Sequence, residues 1–329
     1  MTNTAIRIGI LGAARVAPYA LIEPAARVPS IGVTAIASRS LDKARAFAAR
    51  HGIPKAFGSY GALLADREID AVYVALPPAL HAEWTIRALD AAKHVLCEKP
   101  MAVQARQAAE MAGVARARRR VLQEAMHTRF SRVLQRQREL IRDGTLGPIV
   151  HIVSTFRHPN IPMLDEDFRL QAELGGGAAL DLGCYAVSAL RYVAGEEPEV
   201  RDAASRGRHA ELDDWMRARI VFPSGATGTI ECGFHGTFEA KAGVEVDCER
   251  GAVRTSPGGL LVTREGRGAQ EEVVSSGSTY ERQLDAFARQ IRGELSEAPG
   301  PEDAIATARV LEAMYERAGL TPRGMHVSS

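Results

Sequence analysis

Val95-Leu96-Cys97-Glu98-Lys99-Pro100 reads as a short buried strand that ends on two charges and a proline. One helix-length earlier, Ala71-Val72-Tyr73-Val74-Ala75-Leu76 is a second apolar run, so the local order is strand, helix, strand. That order predicts a parallel sheet with crossover helices, in which ligands bind beyond the carboxyl ends of the strands. Lys99 therefore falls where ligands bind. Pro100 fixes its own φ and drives Lys99 away from helical angles, which makes the turn rigid. A lysine held in this way is a candidate catalytic group. The competing reading is a surface turn with a solvated lysine.

Working outward, residues 6–11 form a first strand, followed by helical sequence to about residue 27 that Pro18 and Pro24 delay or kink. Residues 33–37 are a second strand, and 41–51 a helix with Ser40 as its cap and Gly52 at its end. Helices over 81–92 and 105–118, and a short strand over 121–125, complete a doubly wound nucleotide-binding pattern over residues 1–123. The texture then changes. Strands at 148–157, 215–222, 227–234 and 243–248 are joined by turn signals such as Val221-Phe222-Pro223-Ser224-Gly225 and Glu249-Arg250-Gly251. Helices over 134–143, 174–193 and 301–318 flank them. The predicted fold class is α/β: a Rossmann domain (1–123) followed by an α+β domain (124–329) with a mostly antiparallel open sheet. The second domain is expected to bind substrate and to oligomerise, and the cleft between the two is the default site.

Composition excludes several classes. A net charge of +1 over 329 residues gives no field for nucleic acid or an anionic membrane. The Arg-Ala-Arg-Arg-Arg run at 116–120 reads as a solvated helix face. The four cysteines show no CxxC spacing and fit reduced, buried thiols in a cytosolic protein. No uncharged stretch approaches the roughly 18–20 residues of a membrane span. With the first strand starting by about Ile6, no signal peptide is expected.

Gly12-Ala13-Ala14-Arg15-Val16-Ala17 lies between the first strand and its helix and matches G-x-G-x-x-A, with Ala14 in the second glycine position. The first glycine allows the tight turn, and the helix N-terminus stabilises a pyrophosphate. The second strand then selects the cofactor. NAD-binding versions usually end it on a carboxylate that binds the ribose hydroxyls, whereas here it runs Ala37-Ser38-Arg39-Ser40. Arg39 can pair with a 2′-phosphate and stack on adenine, Ser38 and Ser40 add donors, and Lys43 lies one turn on. The expected cofactor is NADP.

In the second half, Leu174-Gly175-Gly176-Gly177-Ala178-Ala179-Leu180-Asp181-Leu182-Gly183-Cys184-Tyr185 carries three consecutive glycines, which let backbone approach another element or a ligand. If the segment after them is helical, Asp181 and Tyr185 share a face. A Tyr–Asp pair beside a nicotinamide suits proton transfer, and a lysine cation such as Lys99 would help the tyrosine lose its proton. The plainer reading is a buried helix with a hydrogen-bonded Tyr–Asp pair.

Taken in order, the Gly12–Ala17 turn, the Glu98-Lys99-Pro100 triplet and the Gly175…Asp181…Tyr185 segment resemble the glucose–fructose oxidoreductase / inositol dehydrogenase / MocA-type (Gfo/Idh/MocA) family. Leu76-Pro77-Pro78-Ala79-Leu80-His81-Ala82-Glu83-Trp84 and Asp167-Phe168-Arg169 add to the likeness, which covers nearly the whole chain. The resemblance implies a nicotinamide-dependent oxidoreductase acting on sugars or related polyols. It implies that Lys99 binds the reacting hydroxyl or carbonyl, that Tyr185 exchanges its proton and that Asp181 supports Tyr185. Cofactor contacts are implied for Gly12, Ala14, Arg15, Val16, Ser38, Arg39, Ser40, Lys43, Leu76, Pro77, His81, Glu98, Lys99, Phe168 and Arg169, with Phe168 and Arg169 at the nicotinamide end. Tyrosine at 185 points to the branch resembling NADP-dependent xylose dehydrogenases and dihydrodiol dehydrogenases. The family's open sheet face usually forms a dimer interface, so a homodimer or homotetramer is expected. No metal is needed. Departures are Pro78, where many relatives have asparagine, and Thr128 and Ser131, where the family stretch resembling 124–131 has tyrosine and histidine. The resulting expectation is a cytoplasmic NADP(H)-dependent dehydrogenase of an aldose or related hydroxyl compound. The alternatives are a non-catalytic NADP- or sugar-sensing regulator on the same fold and a reductase of a non-sugar carbonyl.

Overall fold

Short runs rich in Ile, Val and Ala build the first sheet: β1 (Ile6–Leu11), β2 (Ile31–Ala37), β3 (Lys55–Phe57), β4 (Ala71–Val74), β5 (His94–Cys97) and β6 (Leu122–Glu124). Every pairing is parallel, and the order is β3-β2-β1-β4-β5-β6. The central strands are buried on both faces, which is why β4 reads as an unbroken apolar run. The crossovers include α1 (Glu23–Ala25), α2 (Leu41–His51), α3 (Tyr60–Ala65), α4 (His81–Asp90) and α5 (Ala105–Arg118). The α2 limits follow the sequence signals. The Ser40 hydroxyl accepts from the Lys43 N–H, and Gly52 closes the helix at φ +66°. Pro18 and Pro24 leave no long first helix. A π-helical turn over Pro18–Ile22 runs directly into α1.

The computed structural model describes residues 5–159, 161, 167–207, 211–234, 239–275 and 277–323. It divides into two units. One comprises residues 1–102, 106–130 and 278–302, and the other 103–105, 131–277 and 303–329. The second unit contains α6 (Arg132–Arg142), α7 (Cys184–Ala194) and an eight-stranded sheet. Its strands are β7 (Ile149–Arg157), β8 (Glu199–Arg206), β9 (Trp215–Val221), β10 (Thr227–Gly233), β11 (Lys241–Cys248), β12 (Gly251–Ser256), β13 (Gly259–Arg264) and β14 (Arg267–Val273). They are ordered β14-β13-β12-β11-β7-β10-β9-β8 and are antiparallel except where β7 meets β10. Met216, Ala218 and Ile220 of β9 are buried while Arg217 and Arg219 between them are exposed, the alternation of a sheet with one packed face.

The helix expected over 174–193 is interrupted. Gly175 and Gly177 take φ of +81° and +109°, left-handed values that cannot continue a right-handed helix, so regular structure resumes only at a π-helical turn over Ala179–Gly183 that leads into α7. After β14 the chain returns to the first unit as α8 (Thr279–Ile291), whose Leu284, Phe287 and Ala288 enter the core formed with Ile8 and Ile10 of β1 and Ile36 of β2. The last helix among the described residues is α9 (Pro301–Arg317), which buries Ala304, Ala308, Leu311, Met314 and Tyr315. The four cysteines are buried free thiols, and among the described residues no helix is long and apolar enough to cross a membrane.

Phe287 has no exposed surface. Truncation to alanine is expected to destabilise the protein by about 3–5 kcal/mol through lost burial and the cavity left behind. Urea denaturation of Phe287→Ala checks this, and an unchanged midpoint would contradict the return of α8 to this core.

Candidate active site

The order of the first sheet reverses between β1 and β4, and a crevice forms outside the strand ends at such a switch point. Gly12 follows β1 there. Its N–H donates to the Ala37 carbonyl (2.9 Å), its φ is +102°, and a Cβ would lie 2.6 Å from the Ala75 carbonyl oxygen. Only glycine lets the chain turn so close to the end of β4. Beyond it, Ala14 and Val16 are half-buried and Arg15 is exposed, before the helical turn begins. At the end of β2 the Ser38 hydroxyl accepts from the Ser40 N–H (3.4 Å), and the Ser40 hydroxyl is occupied as the cap of α2. Arg39 and Lys43 are exposed at the same edge. This cradle fits a dinucleotide: a turn that excludes a Cβ, helix N-termini and no carboxylate in residues 37–40.

Two strands along, Leu76 and Pro77 lead from β4 into α4. His81, the first residue of α4, is buried with both ring nitrogens on backbone carbonyls: Nε2 lies 2.7 Å from Leu76 O and Nδ1 2.8 Å from Pro100 O. A neutral imidazole carries a single N–H and donates to one of them. Its place is thus as a strut between the turns that follow β4 and β5. After β5, the Tyr73 hydroxyl donates to Glu98 Oε1, and the Lys99 N–H donates to Glu98 Oε2 (3.1 Å). Met101 N–H donates to the buried Glu124 carboxylate (2.7 Å). The Lys99–Pro100 bond is cis. The half-buried Lys99 therefore stands on a turn anchored from both sides by buried carboxylates.

Four residues outside the predicted site set join this edge: Tyr19, Thr279 and Tyr280, and His127, which in the sequence reads as either a polar group of the pocket or a structural histidine. The His127 ring stacks on Tyr280 with centroids 4.2 Å apart, and His127 Nδ1 lies 2.9 Å from the Thr279 hydroxyl. Tyr19 meets Tyr280 edge-on, at 6.1 Å. Burial and the Lys99 charge push the His127 pKa down to about 4, while burial and the Glu98 charge push Tyr280 up. Thr279 and Tyr280 lie far along the chain at the start of α8, so no local pattern ties them to Lys99.

In the second unit, Asp167 N-caps a 3-10 turn (Phe168–Leu170), and Arg169 is forked between two carboxylates. Its Nε donates to Asp181 Oδ2 (2.6 Å) and its Nη1 to Asp167 Oδ1 (3.2 Å), and its guanidinium stacks over Phe168 (4.6 Å). Burial opposes the charge of Arg169, but Asp181 and Asp167 outweigh it and raise its pKa. Asp181 sits in the π-helical turn and Tyr185 in the first turn of α7, where Tyr185 stacks on Phe156 (4.7 Å, 20°). Two of the three glycines, Gly176 and Gly177, allow close approach of neighbouring protein atoms. A Cβ at Gly176 would stand 2.6 Å from the carbonyl oxygens of Phe168 and Arg169, and one at Gly177 2.2 Å from Asp213 Oδ1. Asp213 is fully enclosed. It accepts from Ala179 N–H (2.6 Å), the Tyr315 hydroxyl (3.0 Å) and Arg323 Nη2 (3.2 Å). Burial pushes its pKa up to about 6 against these donors.

The predicted residues thus gather in two places. Gly12, Ala14, Arg15, Val16, Ser38, Arg39, Ser40, Lys43, Leu76, Pro77, His81, Glu98 and Lys99 share the carboxyl edge of one sheet, and Phe168, Arg169, Asp181 and Tyr185 cluster within the other unit. Among the described residues no group of three or more His, Cys, Asp or Glu is arranged to hold a metal.

Residues 6–126 match the model of the oxidoreductase family with an NAD-binding Rossmann fold, and residues 134–254 match the GFO/IDH/MocA C-terminal domain. The chain is 36% identical to D-xylose 1-dehydrogenase (NADP(+)) 2 of Haloferax volcanii, over 94% of its own length and 96% of that protein. It therefore belongs to the Gfo/Idh/MocA family of oxidoreductases. Among solved structures it is similar to a 3-ketoreductase from Actinomadura kijaniata in complex with NADP and TDP-benzene (TM-score 0.86, 29% identity, 95% of this chain and 98% of that one). It is also similar to an aldose–aldose oxidoreductase from Caulobacter crescentus complexed with glycerol (TM-score 0.85, 26% identity, 96% and 98%).

Burial holds His81 at about 4, below its ordinary 6.5, with the nearby Lys99 charge acting in the same direction. In the unfolded chain it binds a proton near its ordinary value, so stability is full above about pH 6.5 and declines as pH falls towards about 4. At about pH 5 the loss from His81 is of order 2 kcal/mol. His94 and His127, also held at about 4 with burial as the main cause, act in the same direction. Urea midpoints at neutral pH and near pH 5 check this. A midpoint that does not fall, or a His81 ring that titrates near its ordinary value by NMR, contradicts it.

Proposed function

We propose that this chain is an NADP(H)-dependent oxidoreductase that interconverts a sugar hydroxyl and the corresponding carbonyl. The observation that carries the reading is Lys99, fixed by the Glu98–Tyr73 pair at the carboxyl edge of a sheet whose Gly12 turn excludes a Cβ. When bound, the nicotinamide accepts or supplies the hydride. The Lys99 ammonium would hydrogen-bond the reacting oxygen and stabilise the negative charge that develops on it. Tyr185 would take or return the hydroxyl proton, with Asp181 holding its segment through the fork to Arg169. His127, stacked on Tyr280, stands near the Lys99 charge.

NADP rather than NAD is supported by Arg39 exposed at the end of β2, where a carboxylate would repel a 2′-phosphate. The xylose dehydrogenase relative, whose name carries NADP, agrees. Assignment of cofactor binding to 1–123 and of substrate binding and assembly to 124–329 belongs to the same proposal. So does a cytoplasmic homodimer or homotetramer, consistent with four free thiols and with exposed Val150, Leu261 and Val273 on the eight-stranded sheet. A second reading, reduction of a keto group on a nucleotide-linked sugar, is favoured by the likeness to the 3-ketoreductase.

Lys99→Met is expected to lower kcat by at least about a hundredfold while NADP⁺ affinity changes little. Loss of NADP⁺ binding to the same extent would make Lys99 a cofactor-site residue only. Arg39→Asp is expected to shift the NADP⁺/NAD⁺ affinity ratio towards NAD⁺ by about tenfold to a hundredfold, the worth of a charge-assisted hydrogen bond. An unchanged ratio in paired titrations would contradict the 2′-phosphate contact.

A further inference from the structure

We propose that Asp213, together with Tyr315 and Arg323, is a positioning residue for the segment that bears Asp181 and Tyr185. Its bearing on turnover rests on the oxidoreductase reading above. The helical run from Ala179 through α7 begins immediately after three glycines, so nothing in its own sequence supplies a side-chain cap. The first amides of a helix have no partner within it. Here the amides of Ala178 and Ala179 are taken by one residue from the loop before β9. The Asp213 carbonyl accepts from Ala178 N–H (2.7 Å), and its carboxylate Oδ2 accepts from Ala179 N–H (2.6 Å). The other carboxylate oxygen is held by the Tyr315 hydroxyl and Arg323 Nη2. Arg323 also donates through Nε to the Gly176 carbonyl (3.1 Å), and its guanidinium lies over the Tyr315 ring (4.9 Å).

The junction has no slack. A Cβ on Gly177 would lie 2.2 Å from Asp213 Oδ1, and one on Gly176 would lie 2.6 Å from the Phe168 and Arg169 carbonyl oxygens. Arg169 in turn forks onto Asp181. The start of the segment is therefore pinned on one side by Asp213 and on the other by the residue that pairs with Asp181. A shift of the helix start would move Asp181 and Tyr185 together, and small displacements of reacting groups are costly in rate.

The test uses the full chain with Tyr315→Phe, which removes one donor at almost constant volume, and Arg323→Lys, which keeps the charge but loses the fork. Site-resolved amide exchange and steady-state kinetics with NADP⁺ and D-xylose are measured on both. The expected result is exchange at Ala178 and Ala179 faster by about tenfold or more, with little change elsewhere in the unit. Alongside it, kcat falls by about tenfold or more while KM and NADP⁺ affinity stay near wild type. The proposal is overturned if exchange at these amides is unchanged in both variants. It is equally overturned if exchange rises evenly across the second unit, the signature of general destabilisation, or if exchange rises locally with kcat unaffected. Should the wild-type chain turn over no sugar, the oxidoreductase reading fails by itself. The exchange result then still decides whether Asp213 holds this segment.

Discussion

At the end of β1 the backbone passes so close to the end of β4 that a Cβ on residue 12 would lie 2.6 Å from the Ala75 carbonyl oxygen. That closeness follows from the parallel pairing of Leu11 with Val74 in the middle of a sheet buried on both faces. The strands end together, their connections part in opposite directions, and a crevice opens at the point of divergence. The other features of the first unit's site depend on this edge. The β2 end presents Arg39, the turn after β4 is tied to the turn after β5 by His81, and Lys99 leaves the edge from β5.

The second unit meets the same problem of close backbone approach with a different device. A glycine run is compressed between the Phe168–Arg169 carbonyls on one side and Asp213 on the other. In both units the glycines are required by neighbouring protein atoms at sub-van der Waals range. At Gly12 this leaves a concave turn suited to a pyrophosphate. At Gly176 and Gly177 it seats the start of a helix whose Asp181 is already paired with Arg169.

Much of this was legible in the sequence. The apolar runs of β1, β4 and β5, the Ser40 and Gly52 limits of α2 and the alternation of β9 are local signals, and the edge residues from Gly12 to Lys99 follow once the parallel order is known. What was hidden depends on tertiary destination. The three residues of β3 are only half-buried and show no apolar run, and β14 is polar and exposed along most of its length. The α8 segment has helical sequence of its own, but nothing local indicates that Phe287 packs beside β1 or that Tyr280 lies on His127 near Lys99. The glycine run left open whether an element or a ligand comes close. Asp213, buried beneath it, stands in sequence as one of two acids before a strand and carries no mark of burial.

The Gly12 edge and Lys99 together are proposed to serve NADP-linked chemistry on a sugar. The most direct measurement is the initial rate of wild-type protein with saturating NADP⁺ or NAD⁺ against D-xylose, D-glucose, an inositol and a cyclic diol, followed by the absorbance of the reduced cofactor. At least one aldose is expected to turn over with NADP⁺, and much more weakly with NAD⁺. Tight NADP⁺ binding without turnover of any of these, and without oxidation of NADPH by a keto-sugar in the reverse direction, would contradict it.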